Sequence, residues 1–302
     1  MTSVDQAASI QSRIEAAASR FSGEFSLQAE NLDTGETVSY NSLVVLPTAS
    51  VIKEPILVAL LRAVEAGDVD FGARLTMHAD DRVGGSGVLK LFAGGLEPTV
   101  EDVATMMIAV SDNTATNMIV DLLGGVAVVN AAMDDLGLPG IHLLNRIDFD
   151  IIEPDAGNLA VSSTADMCRL NTLIAAGEAF SPWVSETAER IMGTQQYLDQ
   201  TLRYVLVSPY AAELGLTPEV SSASKSGFIS GVRVDSGIVR FAAGGGFAFA
   251  LANRGSRDLT FLPEAEGAVL NGVVGRALTE YWWPGDAGTA PVVGSGLLAG
   301  WE

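Results

Sequence analysis

What most restricts the folds open to this 302-residue chain is the placement of its strand-like segments, which lie near both ends with a long helical block between them. Residues 24–31 alternate Phe25, Leu27 and Ala29 against Ser26, Gln28 and Glu30. Alternation resumes over 37–40 after the turn Asp33-Thr34-Gly35-Glu36, so a hairpin is predicted. Period-two patterning returns at 232–242 and 246–253, around a run of three glycines at 244–246. Helical spacing marks 4–21 (Ile10, Ile14, Ala17, Ala18), then 49–63, 100–110, 114–123, 126–136, 164–176 and finally 264–282. A lone hairpin is marginal in water, so the two ends are expected to share one sheet. The predicted class is α/β of the α+β kind: an antiparallel sheet flanked by N- and C-terminal helices, with an inserted all-α lobe. The corresponding division is 1–45 plus 215–284 for the α/β lobe and 46–214 for the all-α lobe, which holds an Ω-like loop at 142–163. A tail of loop composition, 285–302, is expected to be an appendage.

Composition narrows the function. Apolar residues are 48% of the chain, enough for a sizeable core, and 17 basic against 37 acidic residues give a formal charge of −20. That balance opposes phosphate backbones and anionic lipid surfaces, so neither nucleic acid nor a membrane is an expected partner. The expected partner is an anionic small molecule, met by a monomer. One cysteine, Cys168, forbids an internal disulfide and cannot build a zinc cage; no metal and no cofactor is expected. Cys168 reads as a buried small hydrophobe, and the two histidines, His78 and His142, as surface residues. The first residues show no cationic, apolar leader and no stretch has transmembrane length, so the chain as written reads as cytoplasmic. A chain trimmed of a leader would read the same and would act in the periplasm or outside the cell.

With imidazoles and metal ligands scarce, the chemistry is sought among hydroxyls and amines. Ser50-Val51-Ile52-Lys53 opens an apolar helix, and positions i and i+3 share a face, so the Lys53 amine can reach the Ser50 hydroxyl. A lysine becomes a general base when desolvation or nearby cations lower its pKa. The pattern is short, and a second copy, Ser222-Ala223-Ser224-Lys225, leads into a strand instead. Ser111-Asp112-Asn113 sits between two helical runs, where capping alone could explain it. Lys225-Ser226-Gly227 could be an edge-strand lysine beside a bulge glycine. Gly84-Gly85-Ser86-Gly87 lacks the following lysine of a phosphate cradle and is expected to line the cleft.

Together, Ser-x-x-Lys at 50–53, Ser-Asp-Asn at 111–113 and Lys-Ser-Gly at 225–227 make the chain resemble the serine β-lactamase and penicillin-binding protein family, closest to class A β-lactamase-like serine hydrolases. The resemblance covers about residues 5–283. It implies that Ser50 is acylated by β-lactam-like amides and that Lys53 is its base or proton relay. Ser111 would pass a proton to the departing nitrogen. Lys225 would hold that hydroxyl and attract a substrate carboxylate, with Ser226 in place of the motif's threonine. Asn113 would bind the substrate's side-chain amide and orient Lys53. The backbone N–H groups of Ser50 and Phe228 would form the oxyanion hole beside Gly227. Arg233 would add positive charge, unless it is spent on a salt bridge to Asp235 or Glu24.

The loop that should supply deacylation departs from the family pattern. The class A motif Arg-x-Glu-x-x-Leu-Asn has no Leu-Asn here, and the stretch runs Asn145-Arg146-Ile147-Asp148-Phe149-Asp150-Ile151-Ile152-Glu153-Pro154. Asp148 is placed first as the water-activating carboxylate and Glu153 second, against the alternative that neither acts. The stretch also resembles class A-like hydrolases with a Met-Asp-Phe loop, here Ile147-Asp148-Phe149 followed by Asn158 and Ser162-Ser163-Thr164. Other readings remain open: an esterase, peptidase or transacylase on a non-lactam substrate, or a penicillin-binding homologue that deacylates slowly.

Overall fold

The computed structural model describes residues 3–208, 210–211, 213–285 and 287–293. In chain order the elements are α1 (Ser3–Ala18), β1 (Glu24–Asn31), β2 (Thr37–Tyr40), β3 (Val45–Pro47), α2 (Lys53–Ala66), α3 (Val100–Ala109), α4 (Asn113–Leu122), α5 (Val126–Asp135) and β4 (His142–Leu143). They continue with α6 (Phe149–Ile152), β5 (Ala160–Ser163), α7 (Thr164–Ala176), α8 (Pro182–Met192), β6 (Val220–Ile229), β7 (Val232–Phe241), β8 (Gly246–Arg254) and α9 (Glu266–Trp282).

The main sheet has the order β2-β1-β8-β7-β6, and every pairing is antiparallel. Its seam is β1 against β8, with Leu27 opposite Leu251, so the two ends of the chain close on each other. The period-two pattern of β8 assigns its two faces. Phe247, Phe249 and Leu251 pack with Ile10, Ile14, Leu270, Leu278 and Trp282 under α1 and α9. Ala248, Ala250 and Ala252 face the helical layer, where small side chains let α7 lie close on β8. The helical core is built around α2, whose Ile56, Leu57, Leu60 and Leu61 are wholly buried. Edge strand β6 runs beside the turn that starts α2.

Differences from the sequence reading have local causes. The helix expected from residue 49 begins as a 3₁₀ turn, Ala49–Ile52, before α2. Helix α8 was not predicted; it starts with Ser181 accepting the N–H of Val184 and with Pro182 in the first turn. Strand β6 runs from Val220, and its Ser-rich start, with Ser221 exposed and Ser222 half-buried, carries no hydrophobic alternation that would mark it as a strand. A small sheet of order β3-β5-β4 escaped detection because its strands have two to four residues each. The described part of the tail is not a free appendage: Leu206 N–H donates to Pro291 O, Val293 N–H donates to Tyr204 O, and Val205 bridges Val292. Residues 294–302 of that tail lie outside the described residues.

Candidate active site

The first functional side chains come from the 3₁₀ turn at 49–52. In this tighter helix, residues i and i+3 eclipse, which stacks Lys53 behind Ser50 on one edge. Ala49, just before the serine, has φ 45°, and Ser111 has φ 54°, both in the left-handed region that L residues avoid. Two strained residues at one cleft mark a site held in place by its surroundings. Strand β6 presses on the turn from outside. A Cβ on Gly227 would lie 2.8 Å from Ser50 N and 3.1 Å from both Ala49 Cβ and Thr48 O, so this position requires glycine.

Lys53 is the hub. Its side chain is 0% exposed, and Nζ donates to Ser111 O at 2.7 Å, Ser111 Oγ at 3.0 Å and Asn113 Oδ1 at 2.9 Å. Among the described residues, Ser50 Oγ has no hydrogen bond to this amine; the carbonyl and amide oxygens around Ser111 take its donors instead. Burial holds the Lys53 pKa well below the usual lysine range. The nearby Lys225 charge lowers it further, and Asp112 opposes both. The amine is therefore a better proton acceptor than a lysine in water.

The loop between α3 and α4 is fixed by Asp112. Its Oδ1 caps α4 through Ala115 N–H, and its Oδ2 accepts Val88 N–H at 2.6 Å and Leu89 N–H at 2.8 Å. Gly87 (φ 97°) crosses directly over that carboxylate, and a Cβ there would fall 2.3 Å from Asp112 Cγ. Ser86 Oγ then donates to Ser111 O and toward Asn113 Oδ1, and Asn113 Nδ2 donates to Gly84 O.

Lys225 is 0% exposed and sits on β6 beside this cluster, but it does not hold the Ser111 hydroxyl as expected. Nζ donates to Ser226 O at 2.6 Å, and the carboxyls of Asp235 and Glu54 are the nearby acids that oppose loss of its proton. Burial lowers the Lys225 pKa to about 7 against the pull of those two carboxyls. The Ser226 hydroxyl is buried and, among the described residues, unpartnered. The chain has three lysines, and the third, Lys90, donates Nζ to Gly85 O on the rim, so every lysine lies at this cleft.

Above the polar cluster is a cavity of ≈ 180 Å³ with Ser50, Ser86 and Asn113 on its polar side. Ile147, Phe149, Ile152 and Leu159 form one wall, and Phe228, Ile229 and Phe261 form another. The predicted water-activating carboxylates are not in either wall. Asp148 is exposed and caps α6 by accepting Asp150 N–H, while Glu153 is exposed at the end of that helix. The cause is the anchoring of the loop. Asn117 Nδ2 donates to Ile147 O, and Asn117 Oδ1 accepts Ile147 N–H, which turns Ile147 inward and sends the following Asp148 outward.

Arg233 meets neither expectation in full. Its guanidinium donates to the carbonyls of Ile229, Val232 and Thr260 and stacks 5.5 Å from the Phe261 ring centroid. Glu24 pairs with Arg254 instead, and Asp235 accepts Thr201 N–H. Arg233 thus braces the strand turn and Phe261 from behind, outside the side chains lining the cavity.

Sequence reasoning missed Asn117, Glu54, Asp235 and Phe261. Asn117 had a usable signal, being one helical turn after Asn113, and so did Glu54, an acid inside an otherwise apolar helix start. Phe261 belongs to a loop without periodicity.

Comparison with known proteins agrees with this geometry. An ancestral class A β-lactamase superposes with TM-score 0.76 over 90% of this chain and 100% of its own at 20% identity, which shows the shared fold. A β-lactamase from Sphaerobacter thermophilus DSM 20745 matches with TM-score 0.79 and 27% identity, covering 90% of this chain and 96% of that one. An acyl-enzyme complex of a PBP-A variant with penicillin G matches with TM-score 0.75 and 30% identity, over 90% and 95%. In sequence, the chain is 31% identical over 179 residues to β-lactamase CARB-3 of Pseudomonas aeruginosa, an alignment spanning 58% of this chain and 61% of that protein. Residues 9–282 match the sequence profile of the β-lactamase enzyme family, nearly the whole length, and the chain therefore belongs to that family.

Proposed function

We propose that the chain is a serine hydrolase of the class A β-lactamase type, acylated at Ser50 by β-lactam-like cyclic amides, with release of the acyl group as its slow step. The observation that carries this reading is the Lys53 amine: wholly buried, lowered in pKa, stacked one turn behind Ser50 and 3.0 Å from Ser111 Oγ. In the acylation step, Ser50 Oγ attacks the carbonyl carbon while its proton passes to Lys53 Nζ. The resulting oxyanion is held by the backbone N–H groups of Ser50 and Phe228. The C–N bond then breaks as Ser111 Oγ gives its proton to the nitrogen, and Lys53 Nζ restores that proton to Ser111. Lys225 and the free Ser226 hydroxyl meet the substrate carboxylate, and Asn113 meets the acyl-side amide.

Deacylation needs a base for water, and the loop offers Ile147, Phe149, Ile152 and Leu159 to the cavity in place of Asp148 or Glu153. This observation favours a second reading within the same chemistry, a penicillin-binding homologue that keeps its acyl group. Stopped-flow nitrocefin hydrolysis distinguishes the readings. A burst equal to the enzyme concentration, followed by slow turnover, is expected, with Asp148→Asn and Glu153→Gln leaving the slow phase within about two-fold. A burst with no turnover selects the binder. A linear trace that Asp148→Asn slows by orders of magnitude contradicts the account of the loop.

A further inference from the structure

Strand β6 is an outer edge of the main sheet, and at Gly227 the close approach of Ser50 N admits no side chain. A glycine on an open edge is the least restrained point of a strand, yet the peptide joining Gly227 to Phe228 carries one of the two N–H groups assigned to the oxyanion. The hairpin sets how that peptide points. Ser230 and Gly231 form the two-residue turn between β6 and β7, so Ile229 and Val232 are a hydrogen-bonded pair and, by alternation, Gly227 and Val234 are the next. The Gly227 carbonyl therefore faces into the sheet. The Phe228 N–H, at the other end of the same planar trans unit, points out from the edge toward the cleft.

The inner end of that unit is fastened by a side chain from outside the cleft. Gln200 is buried, and its Nε2 donates to Gly227 O at 3.1 Å. Its Oε1 accepts Asn271 Nδ2 from α9 at 2.9 Å, and Asn271 Oδ1 accepts Asn253 Nδ2 from β8 at 3.0 Å. Asn253 Nδ2 also donates to Gly267 O at 3.1 Å. Backbone carbonyls thus close both ends of a chain of three buried amides, which allows each amide one orientation and leaves Gln200 Nε2 as the donor to Gly227. The Gln200 backbone is itself held. Thr201 N–H donates to Asp235 Oδ2 on β7 at 2.9 Å, and α9 crosses so close that a Cβ on Gly275 would collide with Thr201 O. Rotating the 227–228 peptide so that the Phe228 N–H turned away from the cleft would break the Gln200 bond and leave a buried amide donor without a partner. We propose that Gln200 is a positioning residue for the oxyanion hole: by holding the Gly227 carbonyl it aims the Phe228 N–H at the oxygen that becomes negative during acylation. The proposal rests on the reading of that N–H as an oxyanion donor.

Infrared spectroscopy of the full-length protein acylated by benzylpenicillin, isotopically labelled at the β-lactam carbonyl, tests this, because hydrogen bonds to the acyl carbonyl lower its stretching frequency. In the parent the ester band is expected below that of the same adduct after denaturation. Gln200→Met keeps a similar volume without the amide. Its ester band should rise toward the denatured position, and its acylation rate constant should fall about ten-fold, with the dissociation constant of the preceding complex within about two-fold. A residue that only supported the fold would lower Tm and leave the ester band of folded, acylated molecules in place, so a parental band in Gln200→Met overturns the proposal. If Gln200→Met does not fold, Gln200→Asn serves in the same measurements, since an amide one methylene shorter cannot span from Asn271 to Gly227 O. The same rise is expected there, and a parental band again overturns the proposal. A parent band no lower than that of the denatured adduct overturns the reading of the oxyanion hole and the proposal with it.

Discussion

A lysine amine taken wholly out of water gives up its hydration, and the start of α2 accepts that cost at Lys53 and adds a buried carboxyl at the next residue. The ionisation of Glu54 has a predictable effect on stability. Its pKa is raised to about 8, first by burial, so the native state holds its proton more tightly than the unfolded chain does. The stabilisation from that bound proton is therefore complete below the ordinary carboxyl range and is lost as pH rises through about 8. Glu54→Gln escapes this loss, so its Tm should exceed that of the parent by more at pH ~8.5 than at pH ~5, with a difference of about 2–4 °C. Calorimetry at the two pH values measures this, and an equal gain at both would mean that Glu54 does not titrate in the native protein. The chemistry of single residues was legible in the sequence where types and spacing carry meaning, as at Ser50 and Lys53. It was not legible at Asp148, because a carboxylate's direction depends on how Asn117 pins Ile147 on a segment thirty residues away.

Among the elements, the contact of edge strand β6 with the 49–52 turn determines whether the serine is presented at all. Gly227→Val would drive side-chain carbons into Ser50 N, Ala49 Cβ and Thr48 O, where even a Cβ finds 2.8–3.1 Å. The strand cannot retreat without giving up its ladder with β7, so the turn must move. Acylation by a fluorescent penicillin should drop by at least about 100-fold, with a loss of about 1–3 kcal/mol in stability. Labelling at the parental rate would show that this contact does not set the position of Ser50. Long periodic elements such as β1, α7 and α9 could be read from the sequence because burial imposes their period. The serine-rich start of β6 and the small sheet β3-β5-β4 could not, since their pairing partners and not their own composition decide their state.

Across the molecule, a charge of −20 is combined with a cleft that gathers every lysine, which sets this cleft apart electrostatically from the acidic surface around it. The fold makes this possible by joining β1 to β8, which brings the Ser50 turn, the Ser111 loop and Lys225 together from three distant parts of the chain. The two-ended sheet was visible as strand patterning at both termini. The apolar cavity wall was not, because Phe261 and Ile147 acquire their meaning only once the loops that carry them converge. The central claim is that the desolvated Lys53 amine takes the proton of Ser50 in acylation. Intact-protein mass spectrometry after brief exposure to benzylpenicillin tests it most directly, comparing the parent with Ser50→Ala and with Lys53→Met. The account predicts one stable penicilloyl adduct on the parent that maps to Ser50, none on Ser50→Ala, and at most a trace on Lys53→Met. An adduct that forms on Lys53→Met as fast as on the parent, or one that persists in Ser50→Ala, would contradict it.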